Sequence, residues 1–228
     1  MATYGAPVWA DRLRTTARNK AALRSAQRII VVRVIRGHRT VSWAAATALA
    51  GDSPWELVAE GRSANAEVGE GPGGAAVRHT RTDAIRPVLE RWMRRKRIPL
   101  TFRLTQVLTR HGCFGDYLCR TAQREPTPEC HDCGAAVDSA QHTLEVSPRW
   151  AALCQSLTSV LGGDLSLPSI ITAMLGDDEF WKAMVSFCET VMSQKEPDER
   201  RREEAADVAS IRGRRMGVRR RRYLMRLQ

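Results

Sequence analysis

The chain has 228 residues, 43% hydrophobic and 27% charged, with a formal net charge of +11 and a pI near 10.1. That length and apolar content suit one or two domains with real cores and exclude wholesale disorder. No apolar run approaches the roughly 18–20 residues of a membrane span and no signal-peptide order opens the chain, so the charge points to nucleic acid as partner, with no membrane beyond surface adsorption.

In chain order, residues 18–36, "RNKAALRSAQRIIVVRVIR", predict an amphipathic helix with Leu23, Ala26, Ile30 and Val34 on the inner stripe and Arg24, Arg28 and Arg33 on a basic outer face. Ser42 is expected to cap a short helix, "WAAATALA", ended by Gly51-Asp52, and Ser53-Pro54 to start a third. Residues 1–68 thus read as a small helical unit. The stretch "GEGPGG", 69–74, can continue neither helix nor strand, which places a linker at 69–76.

Beyond it, residues 77–195 read as a second helical region. "RTDAIRPVLERWMRRKR" predicts a helix interrupted at Pro87, with five cations among the seven residues 91–97. Within 103–118, Leu104, Val107 and Leu108 form a helical stripe that ends at Gly112. "PRWAALCQSLTSVLG" and "LPSIITAMLGDDEFWKAMVSFCETVMSQKE" predict two or three more, with Cys154 and Cys188 as core residues. From Lys195 the pattern decays into mixed charge, so 196–228 reads as a charged tail, disordered and basic. Its residues 212–228 hold eight arginines and no acid, +8 of the net +11.

Three stretches invite a chemical reading. The first is "CHDCGAAVDSAQHTLEVSPRW", 130–150. A Cys-x-x-Cys turn can present two thiolates to one zinc ion and a following His can close the loop, so Cys130, Cys133 and His142 are the expected ligands. Gly134 suits the tight turn. Ser147 stands where a fourth ligand is expected; His131, Cys113 and Cys119 are the nearest substitutes, and the alternative is a pair of buried thiols. Six cysteines with no secretory signal favour thiols or metal over disulfides.

The second stretch, the "GDD" of residues 176–178, has helical spacing on both sides and reads as a junction, with Gly176 ending one helix and Asp177 or Asp178 capping the next. The third is cationic: Arg91, Arg94, Arg95, Lys96 and Arg97, with Arg214, Arg215, Arg219, Arg220, Arg221 and Arg222 of the tail, are expected to contact phosphates. Tyr223 could stack on a base; a nuclear targeting signal or a solvated end would use the same residues. Phosphate-loop, G-x-S-x-G and H-E-x-x-H motifs are missing, so the residues describe a basic, mainly α binding protein.

Segments "YGAPVWADRLR" (4–14), "LRSAQRIIVVRVIRGHRTVS" (23–42), "LTRHGCFGDYL" (108–118), 130–150 and "FWKAMVSFCETVMSQKEPDER" (180–200) together resemble the C-terminal portion of the pol polyprotein of insect non-LTR retrotransposons. The type-1 elements that insert into ribosomal RNA genes are the nearest in pattern. The resemblance implies a parent reverse transcriptase (RNA-directed DNA polymerase, magnesium-dependent) with an endonuclease, acting in the nucleus after cytoplasmic synthesis. It implies that residues 1–68 are a thumb-like segment following the palm, and that the rest binds element RNA or target DNA during target-primed reverse transcription. It also implies a Cys-Cys-His-Cys knuckle at 130–147, in which Ser147 replaces the last thiolate and weakens a loop that depends on zinc. The polymerase aspartate turn is not in this sequence, so the chain is expected to be a fragment without that active site. The alternative is a non-enzymatic helical protein-interaction module with a basic tail.

Overall fold

The computed structural model of the chain describes residues 16–64, 88–95 and 100–205. Among them the structure is helical and holds no strand, which agrees with the expected mainly α class. No helix among the described residues is long and apolar enough to cross a membrane.

Helix α1 spans Ala17–Val34, α2 spans Trp43–Ala50 and α3 spans Trp55–Ala64. Ser42 caps α2 as expected, its hydroxyl accepting from the Ala45 N–H at 3.2 Å, and Gly51 ends it in the left-handed region at φ 62°. The face that α1 buries differs from the expected one. Gln27, Val31 and Val32 point inward, whereas Ile30 is 50% and Val34 62% exposed. The cause is the run "RIIVVRVI", which offers aliphatics on every side, so polar anchors choose the orientation. The Gln27 amide donates to Asp52 Oδ2 (2.9 Å) and the Ser53 carbonyl (2.8 Å) and accepts from Trp43 Nε1 (3.0 Å) and the Trp55 N–H (3.2 Å). The expected basic outer face is also partly turned in. Arg24 grips Glu56 of α3 at 2.8 and 2.6 Å, and Arg28 donates to the carbonyls of Val41 and Arg39.

Helix α4 is Leu89–Arg94 and α5 is Phe102–Thr109, capped by Thr101 and ended by Arg110 at φ 55°, just before the expected stop at Gly112. A short α6, Gly115–Tyr117, runs into a π-helical turn, Leu118–Ala122. Helix α7, Ala140–Glu145, follows the cysteine loop, and α8, Ala151–Leu161, begins from a 3-10 turn at Pro148–Trp150. Helix α9 is Leu167–Met174 and α10 is Asp178–Ala205. The "GDD" stretch is the junction the sequence predicts: Gly176 N–H reaches the Ala173 carbonyl at 2.8 Å, and Asp177 accepts from the Glu179 N–H at 2.8 Å.

Helix α10 corrects the expected decay at Lys195, because it continues to Ala205 and packs on α5, α8 and α9. Cys188 is fully buried in it and Cys154 packs against the core, as expected. The linker at 69–76 and the arginine tail lie outside the described residues. The elements on either side of that linker share one hydrophobic cluster, running from Val31 through Trp92 to Met192. Trp92 is the bridge: its indole donates to the Leu49 carbonyl at 3.1 Å while its ring lies 5.8 Å from that of Trp181 in α10.

Candidate metal centre

A tight turn brings the two cysteines together. The Cys130 N–H donates to the Ala135 carbonyl and the Gly134 N–H to the Cys130 carbonyl, both at 2.8 Å, with Gly134 at φ 72°. That left-handed conformation suits glycine, so the residue the sequence marks for the turn is the one that makes it. His142 arrives on α7, whose first turn is fixed by the Ser139 hydroxyl accepting from the His142 N–H at 3.1 Å. The ligating atoms of Cys130, Cys133 and His142 lie within 4.8 Å of one another.

These three residues could hold a metal ion. Cys133 Sγ and His142 Nε2 are 3.4 Å apart, against about 3.6 Å for a thiolate and an imidazole sharing one tetrahedral zinc. Two sulfurs and one nitrogen are a soft donor set, suited to zinc and not to magnesium or calcium. Cys130 and His142 are buried and Cys133 is exposed. Burial pushes the Cys130 thiol above its ordinary range, while N–H groups of Asp132 and Cys133 favour the thiolate.

Two of the substitutes for a fourth ligand are engaged elsewhere and the third is deeply buried. His131 Nε2 pairs with Glu125 at 2.8 Å, and Cys119 Sγ contacts the Pro126 carbonyl at 3.6 Å. Cys113 is 2% exposed, and burial pushes its thiol up to about 12. Ser147 is 3% exposed; its N–H donates to the His142 carbonyl at 2.9 Å, and its hydroxyl is buried without a hydrogen-bond partner. An orphaned buried hydroxyl is unusual.

Polar contacts hold the loop without a fourth thiolate. Asp138, 5% exposed as a residue, accepts through its carboxylate from Lys195 at 3.0 Å on both oxygens and from the Gly115 N–H at 3.2 Å. Its backbone donates to the Pro128 carbonyl at 2.7 Å and accepts from the Asp116 N–H at 2.9 Å, so one residue joins loop, α6 and α10. Arg149 spans Asp132 of the turn (2.8 Å) and Asp198 of α10 (2.6 Å). Sequence reasoning missed Asp138, Lys195 and Arg149, and no spacing could have revealed the Asp138–Lys195 contact, made across 57 residues.

The expected phosphate contacts divide. Arg91 is exposed, and so is Arg94, paired with Glu90 at 2.6 Å. Arg95 is turned into the fold: its guanidinium lies 3.9 Å from the Trp92 ring centroid and donates to the carbonyls of Trp92 (2.7 Å) and Leu49 (3.0 Å). Burial lowers its pKa to about 10. Lys96, Arg97 and Arg214, Arg215 and Arg219 through Arg222 lie outside the described residues. Scans against protein-family models, curated proteins and solved structures each return no match.

Proposed function

We propose that Cys130, Cys133 and His142 bind zinc, and that the ordered loop and the arginine-rich stretch at 212–228 together hold nucleic acid. The convergence of two thiols and one imidazole within 4.8 Å carries the reading. When bound, zinc supplies cross-linking of the turn to α7. The chain's own residues do the rest: Asp138 and Arg149 fasten the loop to α10. On the acidic stretch of α10, Asp198 pairs with Arg149 and Arg201, and Glu199 and Glu203 share Arg124, so these acids are largely engaged within the fold. The resemblance supplies the setting: the nucleic-acid-binding part of a retroelement polyprotein, acting in the nucleus on element RNA or target DNA.

The test is binding of single-stranded RNA and DNA as salt is raised. Each phosphate contact on a single strand contributes a slope of about −0.7 in log affinity against log salt. The full chain is expected to show a steep slope, and residues 1–205 alone a shallower one. Affinity indifferent to salt would overturn the reading. The half-exposed Ile30, Val34 and Met93, which line a groove of about 540 Å³ with Leu49 and Trp55, favour a second reading as a protein-interaction module. Partner protein retained after nuclease treatment, and lost on Val34→Asp, would support it.

A further inference from the structure

Apart from the cysteine loop, two cavities meet at one exposed ring. A groove of about 570 Å³ runs along the end of α1 and is lined by Arg28, Arg33, Arg36, Arg39 and Phe102. A pocket of about 440 Å³ lies beyond it, its walls carrying His38, Phe102, Gln106 and Tyr117 and the charged Glu196, Glu199, Arg124 and Arg200. Phe102 belongs to both and is 42% exposed. None of the Cys130, Cys133 and His142 group lines either cavity.

The pocket lies where three helical segments end. Among the described residues the non-glycine positions with positive φ are Arg36, Arg110 and Gln123, at 51–55°. Each lies within two residues of a wall residue: His38, Gly112 and Ala122 respectively. The π-helical turn Leu118–Ala122 supplies Thr121 and Ala122 to the same wall. Arg36 follows the C-cap of α1, Arg110 caps α5 and Gln123 caps the π turn, a common way for helices to end, so the π turn is the backbone feature that marks this wall. Gly112 is fixed by the pocket too, since a Cβ there would fall 1.9 Å from Gln106 Oε1.

The chemistry of the walls selects the ligand. The His38 ring centroid lies 5.1 Å from that of Phe102 and 5.9 Å from that of Tyr117, so the three rings form one aromatic wall, and Phe102, 42% exposed, is the member a planar ring can meet. His38 Nε2 is buried without a hydrogen-bond partner. Glu196 accepts from Gln106 at 2.9 Å and Arg103 at 3.1 Å, which leaves carboxylate lone pairs free. Arg124 is already paired with Glu199 and Glu203. Arg200, exposed on the same wall, balances the charge of Glu196, so the pocket suits a neutral aromatic ring bearing an amino group, whereas the arginine groove beside it suits phosphates.

We propose that the groove carries the backbone of a single strand and that the pocket takes one unpaired nucleobase, stacked on Phe102 with its edge toward Glu196, Gln106 and His38. The proposal rests on the nucleic-acid reading above and locates one of its contacts. An amino-bearing base, cytosine, adenine or guanine, is favoured over uracil or thymine because a carboxylate accepts from that amino group.

Anisotropy titrations of the full chain with oligo(rC), oligo(rU) and an abasic strand of equal length test this. Oligo(rC) is expected to bind several-fold tighter than oligo(rU). Phe102→Ala should weaken oligo(rC) on the order of tenfold with its salt slope unchanged, leave the abasic strand unaffected, and be rescued by Phe102→Trp. Arg36→Ala with Arg39→Ala should weaken all three strands and flatten the slope by about 0.7 per lost contact. Binding of oligo(rC) that Phe102→Ala leaves intact, or an equal loss on the abasic strand, overturns the pocket alone. No binding to any strand overturns the pocket and the nucleic-acid reading together.

Discussion

At the scale of single residues, Asp138 and Lys195 carry the largest expected effects. Their side chains are 6% and 7% exposed, so removing one charge strands the other in a poorly solvated place. Asp138→Asn or Lys195→Met is expected to lower unfolding free energy by about 3–5 kcal/mol, and the double change to recover much of that loss. Denaturant titration of the three variants checks it; additive losses would contradict the pairing. Gly115 is a second point of contact. A Cβ there would sit 2.8 Å from the Pro128 carbonyl, so Gly115→Ala should cost about 1–3 kcal/mol. Gly163→Ala, which meets nothing within 4 Å, should change stability by less than about 0.5 kcal/mol. The Cys130, Cys133 and His142 group was legible in the sequence because its members are close in the chain and Gly134 marks the turn between them. Asp138 was not, because a lone acid in a loop has the same signature whether it is solvated or buried on a distant lysine.

At the scale of elements, α10 shows what a charge-rich sequence conceals. The stretch from Lys195 onward reads as decay because its apolar positions thin out. Its acids are used instead: Glu196 meets Arg103, Asp198 meets Arg149, and Glu199 and Glu203 meet Arg124. Helix α1 fails in the opposite way, having too many apolar positions for a stripe to define one face, so Gln27 decides it. Asp198 gives the helix a pH dependence. Burial raises its carboxyl, but Arg149 and Arg201 outweigh burial and hold it below the usual carboxylate range. A depressed folded value means a contribution present above about pH 4 and lost as pH falls through that value. Glu199 has the opposite sign: burial raises it, so its contribution is lost as pH rises through its folded value. Asp198→Asn is expected to flatten the acid limb of stability below about pH 4, read by urea unfolding at each pH. An unchanged limb would mean that its arginine contacts contribute nothing in solution.

At the scale of the whole molecule, the shared core predicts cooperative behaviour across the glycine-rich stretch. Leu49 and Trp92 lie on opposite sides of that stretch, and Trp92 reaches α10, so neither part buries its apolar face alone. The full chain should unfold in one transition, and residues 77–228 alone should bind a hydrophobic dye and lose their near-UV circular dichroism. Two independent transitions would restore the two-unit organisation that the linker suggests.

The claim on which the functional account turns is that Cys130, Cys133 and His142 hold zinc although Ser147 stands in the fourth place. X-ray absorption at the zinc edge, with zinc content measured on the same sample, tests it most directly. One zinc per chain is expected, with two sulfurs near 2.3 Å and one imidazole nitrogen, rising to three sulfurs in Ser147→Cys and falling away in Cys130→Ser. A chain that takes up zinc stoichiometrically only after Ser147→Cys, or one whose zinc survives Cys130→Ser, would contradict the account.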